Sequence, residues 1–332
     1  MVGTALWSKL NKGIKIVAIP SAVAPVPYIE TNFKSVATQA AISGVSFNGL
    51  VCMEIAHDNP NYMVAALNSG STENVGWYSI NGGVTWTAVP FTSSFVIPSA
   101  ISANGKTMVI GRANTAGRAW KSTDYGSTWI DQNLTLLSIQ TITDIAVDHD
   151  GTYVFFNQSV SPSFRRILAT ADWLNGANYV STSAPWNTYS LALAKTGRIY
   201  ITKFNDASNR IIAYTDNFAP ATVWTSVTIA AGNSPNPRIR CSSDGKHVFY
   251  VSGVTNVFYI SNDFGVTWTT KTMTTNVYVF GFGVSKSGKY MVIASSVTNG
   301  LYFRSTDFGN TWSDITLAGM STVIKSLIVA ET

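Results

Sequence analysis

The chain has 332 residues, of which 12% are charged, 46% hydrophobic and 12% aromatic, with a formal charge of +5. A charged fraction at half the usual quarter excludes a disordered chain and leaves ample apolar material for a large core. No run of 18 apolar residues offers a membrane-spanning helix, and the scattered basic residues form no Lys/Arg run or motif for nucleic acid.

At the N-terminus, Lys9, Lys12 and Lys15 precede an apolar run, Ile16 to Ala24, that ends Ala22-Val23-Ala24. This is a faint export signal, interrupted by Pro20, and the segment is read as part of the folded chain. The stretch Asn11 to Ala18 matches Ser287 to Ala294, and Tyr28 to Phe33 matches Tyr259 to Phe264. Both ends therefore carry pieces of a repeat found in full further along.

That repeat has two parts. The first is a Gly-containing turn between apolar strands: Ile101 to Lys106, Val147 to Gly151, Leu193 to Arg198, Cys241 to Lys246 and Val284 to Lys289, with Ala56 to Asn61 a divergent copy. Asn-Gly and Asp-Gly between apolar runs are strong hairpin signals. The second part is a corner with the pattern S-x-D-x-G-x-T-W. It occurs at Ser122 to Trp129, Ser261 to Trp268 and Ser305 to Trp312, and with Asn81 for Asp at Ser79 to Trp86. Looser copies surround Asp172-Trp173 and run from Asp216 to Trp224. Asp and Ser side chains satisfy backbone groups that a turn leaves unpaired, and glycine supplies a positive φ. Thr and Trp then begin the next strand.

Trp86 to Trp129 spans 43 positions and Trp268 to Trp312 spans 44, a period that suits a four-stranded propeller blade. The 51 positions from Trp173 to Trp224 predict an insertion, placed at Ser181 to Asn187. Six complete units run from about Gly49 to Ala318, and Val323 to Ala330 reads as one more innermost strand. The expectation is an all-β fold: a seven-bladed β-propeller of four-stranded antiparallel blades. Residues 1–332 form one domain, with 1–48 and 319–332 making the closing blade. Six blades plus an N-terminal extension is the alternative. The two cysteines, Cys52 and Cys241, fall on inner strands of different blades and are expected as free buried thiols.

The S-x-D-x-G-x-T-W pattern resembles the Asp-box, or bacterial neuraminidase repeat, of sialidase-like propellers. The resemblance implies one box per blade, between its third and fourth strands, with Asn81, Asp124, Asp216, Asp263 and Asp307 in the boxes and Trp86, Trp129, Trp224, Trp268 and Trp312 after them. It does not imply sialidase activity, because the box is a folding device. Sialidase-like chains carry an Arg-Ile-Pro motif near the start; Val96-Ile97-Pro98 and Ala18-Ile19-Pro20 here lack the arginine.

The two kinds of turn share one face of a blade and use up most acidic residues, including Asp58, Asp148, Asp150 and Asp244. His57, His149 and His247 sit at these turns too, on three separate blades, and no metal site or cofactor is expected from them. The opposite face collects the second-to-third loops, 68–74, 112–118, 158–166, 204–210, 252–256 and 295–300, and the links between blades. Its Arg112, Arg118, Arg166, Trp186, Arg210, Arg238 and Tyr278 are the candidate ligand-binding residues, since rings stack on apolar sugar faces and guanidinium groups take carboxylates. Phe91, Phe95, Asn187, Asn236 and Asn276 lie in the same links. The only inner-strand acids are Glu54 and Asp144, the pair on which a glycoside hydrolase would have to be built.

These residues favour a non-enzymatic recognition or structural propeller that binds carbohydrate, a cell-surface ligand or other virion proteins. Its expected place is extracellular or on a virus particle. A glycoside hydrolase or lyase acting on polysaccharide, and a protein-assembly scaffold, are the alternatives.

Overall fold

The computed structural model describes residues 14–20, 29–30, 33–34, 50–67, 76–89, 98–112, 117–134, 142–158, 164–182, 184–204, 206–219, 222–253, 255–295, 301–316 and 324–331. The N-terminal strands are β1 (Ile14–Pro20), β2 (Ile29–Glu30) and β3 (Phe33–Lys34). Blade one is β4 (Leu50–Ile55), β5 (Met63–Leu67), β6 (Gly76–Ser79) and β7 (Thr87–Ala88). Blade two is β8 (Ser99–Ile101), β9 (Met108–Arg112), β10 (Arg118–Ser122) and β11 (Ile130–Asn133). Blade three is β12 (Ile142–Val147), β13 (Tyr153–Gln158), β14 (Phe164–Leu168) and β15 (Val180–Thr182). Blade four is β16 (Thr188–Leu193), β17 (Ile199–Lys203), β18 (Asn209–Thr215) and β19 (Thr225–Ala231).

Blade five is β20 (Pro237–Cys241), β21 (Val248–Ser252), β22 (Thr255–Ser261) and the start of β23 (Thr269–Val284). Blade six takes the end of β23, then β24 (Met291–Ser295), β25 (Leu301–Ser305) and β26 (Ser313–Thr316). β23 is continuous: Thr269 to Thr272 pair with β22, and Phe282 to Val284 pair with β24. The link that the sequence predicts at Asn276 and Tyr278 is therefore strand. The last strand is β27 (Ile324–Glu331).

Among the described residues the propeller has six four-stranded blades, not the seven expected. β1 pairs antiparallel with β27 in a sheet of two strands, with Val17 opposite Ile328, and β27 packs against β4, β23 and β24. The two chain ends thus meet between blades six and one. β2 and β3 make a separate two-residue pair, Glu30 opposite Phe33. The physical reason is in the sequence: Glu30 stands where the corner needs a serine, and Lys34 where it needs a glycine. The extra residues between Trp173 and Trp224 also lie elsewhere than Ser181 to Asn187. They lengthen the connections from β14 to β15 and from β18 to β19, the first containing a 3-10 turn at Gly176–Asn178 capped by Asn175.

The core is a series of layers between successive blades rather than one centre. Met53, Met63, Trp77, Ile110 and Trp120 join blades one and two; Val109, Ile145, Phe156 and Trp173 join two and three. Phe249, Phe258, Ile260, Met291 and Phe303 fill the space between five and six. Sheets covered on both faces explain strands apolar at every position, such as Met63-Val64-Ala65-Ala66, all at 0% exposure. Polar ties cross the same interfaces. The buried Lys121 donates to the carbonyls of Ala169 (2.8 Å) and Ala171 (2.7 Å), with its ammonium 4.6 Å from the Trp173 ring. Burial pushes its amine down to about 8.

Four corners share one hydrogen-bond pattern. The hydroxyls of Ser79, Ser122, Ser261 and Ser305 accept from the amides of Gly83, Gly126, Gly265 and Gly309 at 2.8–2.9 Å. The same hydroxyls donate to Asn81, Asp124, Asp263 and Asp307, whose Oδ1 atoms accept from the amides of Thr85, Thr128, Thr267 and Thr311. The indoles of Trp86, Trp268 and Trp312 donate back to the glycine carbonyl. Asp216 departs from the pattern. Tyr214 and Phe218 occupy the serine and glycine positions, and the Asp216 carboxylate is held by Arg198 at 2.5 Å. Trp224 packs edge-on against Phe164 instead.

Each of these four corners holds two successive residues at positive φ, and only the second is always glycine. The first is Gly82, Tyr125, Phe264 or Phe308, at φ between 61° and 71°. The aromatic side chains offset this strain by packing on the preceding blade: Tyr125 on Tyr62 (5.1 Å), Phe308 on His247 (4.6 Å), Phe264 on Arg198 (5.5 Å).

Candidate functional site

The inner strands surround a channel with a central cavity of about 150 Å³. Its wall carries Glu54 from blade one and Arg240 from blade five, which meet at 3.1 Å with side chains 24% and 29% exposed. Burial pushes the Glu54 carboxyl up; Arg240 opposes the shift and Asp144 adds to it. Asp144 is occupied differently. Its carboxylate accepts from the Ser190 hydroxyl (2.8 Å) and from the amides of Ile145 and Leu191 (both 3.0 Å), at 5% exposure. This is a buried acid satisfied by its neighbours.

Cys52 and Cys241 line the inner strands as free thiols. Burial is the main cause that pushes them up, to about 11 and about 12.

The first turns of the blades converge at one mouth of the channel. A ladder of backbone bonds joins them: Asp58 to Ala103 (2.8 Å), Ala103 to His149 (3.0 Å), Lys195 to Ser243 (2.6 Å) and Ser243 to Lys286 (2.8 Å). His57 and His149 lie here, while His247 is away against Phe308. The Asp58 carboxylate bridges Lys286 and His149, the latter at 3.1 Å, and the Lys286 bond holds it below the usual carboxylate range.

On the opposite face, the predicted ligand-binding residues divide. Trp186 and Arg238 both lie beside blade four. Tyr189 and Phe204 stack in parallel there, centroids 5.2 Å apart and planes at 11°. The Arg238 guanidinium lies 4.8 Å over Tyr189, and the Lys203 ammonium 5.7 Å from the Trp186 ring. Lys203 is held by Asp206 at 2.5 Å, and the Phe204 amide donates to Asn187 of the blade link. Phe204 is 41% exposed.

The other candidates lie apart. Arg118 pairs with Asp131 on blade two, and Arg210 donates to the Ala231 carbonyl. Arg166 is in β14 rather than a loop, with its guanidinium 4.5 Å from Tyr153 and 5.1 Å from Phe218. Arg112 and Tyr278 lie in β9 and β23, but their side chains are outside the described residues, as are Phe91 and Phe95. Tyr189 and Lys203 were not foreseen from the sequence, because both belong to strands and only their positions at strand ends bring them to the face.

No family model and no curated protein matches the sequence. Solved structures do. A GH74 xyloglucanase from Xanthomonas campestris is similar with a TM-score of 0.59 at 11% identity, over 86% of this chain and 47% of that one. The chain thus spans about half of that enzyme. YCF48 bound to a D1 peptide gives 0.56 at 15% identity, over 81% of each chain. A chain of a nidogen/laminin complex gives 0.53 at 12%, over 84% and 97%. The likeness is one of fold. Among the described residues no helix is long and apolar enough to cross a membrane.

Proposed function

We propose that this propeller is a recognition module that binds carbohydrate on the loop face of blade four without turning it over. The observation that carries the reading is the parallel Tyr189–Phe204 stack flanked by Trp186, Lys203 and Arg238. An exposed ring supplies a flat apolar surface for a sugar face, and the partly exposed Lys203 ammonium, with one donor on Asp206, has others for ligand hydroxyls. The corner turns that resemble Asp-boxes serve the scaffold, and the low charge suits an extracellular or particle-borne module.

A hydrolase built on Glu54 and Asp144 is disfavoured by what those acids already hold. One is bridged by arginine, the other is saturated by three donors, and the cavity is below the roughly 300–1,000 Å³ of ordinary ligand pockets. A protein-binding scaffold is the second reading, favoured by neighbours described as bound to a peptide or in a laminin complex.

Phe204→Ala removes the outer ring of the stack. It is expected to weaken glycan-array binding about tenfold or more, since a stacked ring contributes on the order of 1 kcal/mol beyond its buried area. Unchanged array binding by the variant would overturn the assignment. A blank array with capture of a defined peptide through the same face would replace it with the scaffold.

A further inference from the structure

The channel mouth lies on the face opposite the aromatic stack, and a ligand there is independent of any carbohydrate bound at blade four. We infer that this end of the channel binds a small oxyanion, a carboxylate or phosphate group, between Lys195 at the rim and Arg240 on the wall. Among the described residues the cavity is lined by the cations Lys195, Arg240 and Lys286 and by one carboxylate, Glu54, with the Asp58 carboxylate at its rim.

Each charge has a definite place. Lys286 is taken by Asp58 at the rim, and Asp144 is turned to Ser190 and two amides. Arg240 gives one nitrogen to Glu54 and another to the Ile239 carbonyl, two of the five donors that a guanidinium carries. Lys195 is exposed at the mouth, and its charge adds, after Lys286 and His149, to what holds the Asp58 carboxyl below the usual range. The Ser243 hydroxyl and the His57 and His149 rings complete the polar rim.

Below them the wall is apolar, with Ile55, Ala100, Ile145 and Val147, which strengthens any charge-assisted bond made inside. The 150 Å³ volume holds about five waters at their liquid share, enough for an oxyanion with a few carbons.

The arrangement also sets a sign. Glu54 competes with the incoming anion for Arg240, so neutralising Glu54 strengthens binding, whereas removing Lys195 weakens it. The test is calorimetric titration of the full chain with phosphate and, separately, malonate, with chloride holding ionic strength constant. One saturable site is expected, weakened about tenfold in Lys195→Ala and tightened about tenfold in Glu54→Gln. The two titrants tell which oxyanion the site prefers. Heats no larger than those of chloride, or wild-type affinity in Lys195→Ala, would overturn the inference. Because Lys195 is exposed, that variant decides the matter even if Glu54→Gln fails to fold.

Discussion

Gly126→Ala is expected to lower folding stability by about 2–5 kcal/mol, from a left-handed backbone and an overpacked contact acting together. Gly126 has φ +87°, and a Cβ there would lie 2.5 Å from the Tyr78 ring of the preceding blade. That ring is fixed in turn against Trp129, centroids 5.8 Å apart, so it has little room to yield. Gly197 provides the control. It has φ +91°, and a methyl added there would meet nothing within 4 Å. Gly197→Ala therefore carries the backbone strain alone, about 1 kcal/mol. Urea unfolding of both variants measures the difference. Equal losses would mean that the corners do not interlock the blades.

Arg240→Ala is expected to cost about 3 kcal/mol or more at neutral pH, because it strands the Glu54 carboxylate in the channel wall. The quarter exposure of both side chains puts the loss at the lower end of the range for buried pairs. The sign with pH follows from the direction of the shift. Burial already raises Glu54 despite Arg240, and removing Arg240 raises it further. A carboxyl whose folded value exceeds its unfolded value binds protons more tightly in the folded state. The variant therefore regains stability as pH falls towards the unfolded value near 4.5, and loses it as pH rises through the raised one. Chemical denaturation of variant and wild type across that window checks this. A deficit independent of pH would show that Glu54 is not the stranded group. Glu54→Gln combined with Arg240→Met should recover most of the loss.

The architecture was legible because its signals are local and repeated. Ser, Asp, Gly and Thr at fixed offsets specify a corner from within eight residues, and four copies fold as the pattern requires. The blade count was not legible in the same way. Tyr28 to Phe33 keeps the apolar outline of a corner but has lost its serine and glycine, and outline alone does not build a four-stranded sheet. Asp216 makes the same point: with Tyr214 and Phe218 at the serine and glycine positions, its partner becomes Arg198.

Sites were harder to read than turns because they depend on residues far apart in the chain. Glu54 and Arg240 are 186 positions apart and touch only because the ring brings blade five across from blade one. Tyr189 and Phe204 face each other through the pairing of β16 with β17, and the strand-end residues that matter carry no motif. The paired positive-φ residues at the corners were half legible: glycine signalled the second, but Tyr125, Phe264 and Phe308 gave no sign of the first.

The seam between blades six and one rests on closure of the ring by the chain ends, where β27 pairs with β1 and packs on β4, β23 and β24, and a cross-link tests that closure directly. Val17→Cys and Ile328→Cys, introduced together with Cys52→Ala and Cys241→Ala, place one thiol on each of two strands that pair in register. Closure in this register predicts an intramolecular disulfide in the monomer under mild oxidation, with stability raised by about 2–4 kcal/mol over the reduced form. A monomer that stays reduced, or a disulfide that forms only between molecules, would contradict it.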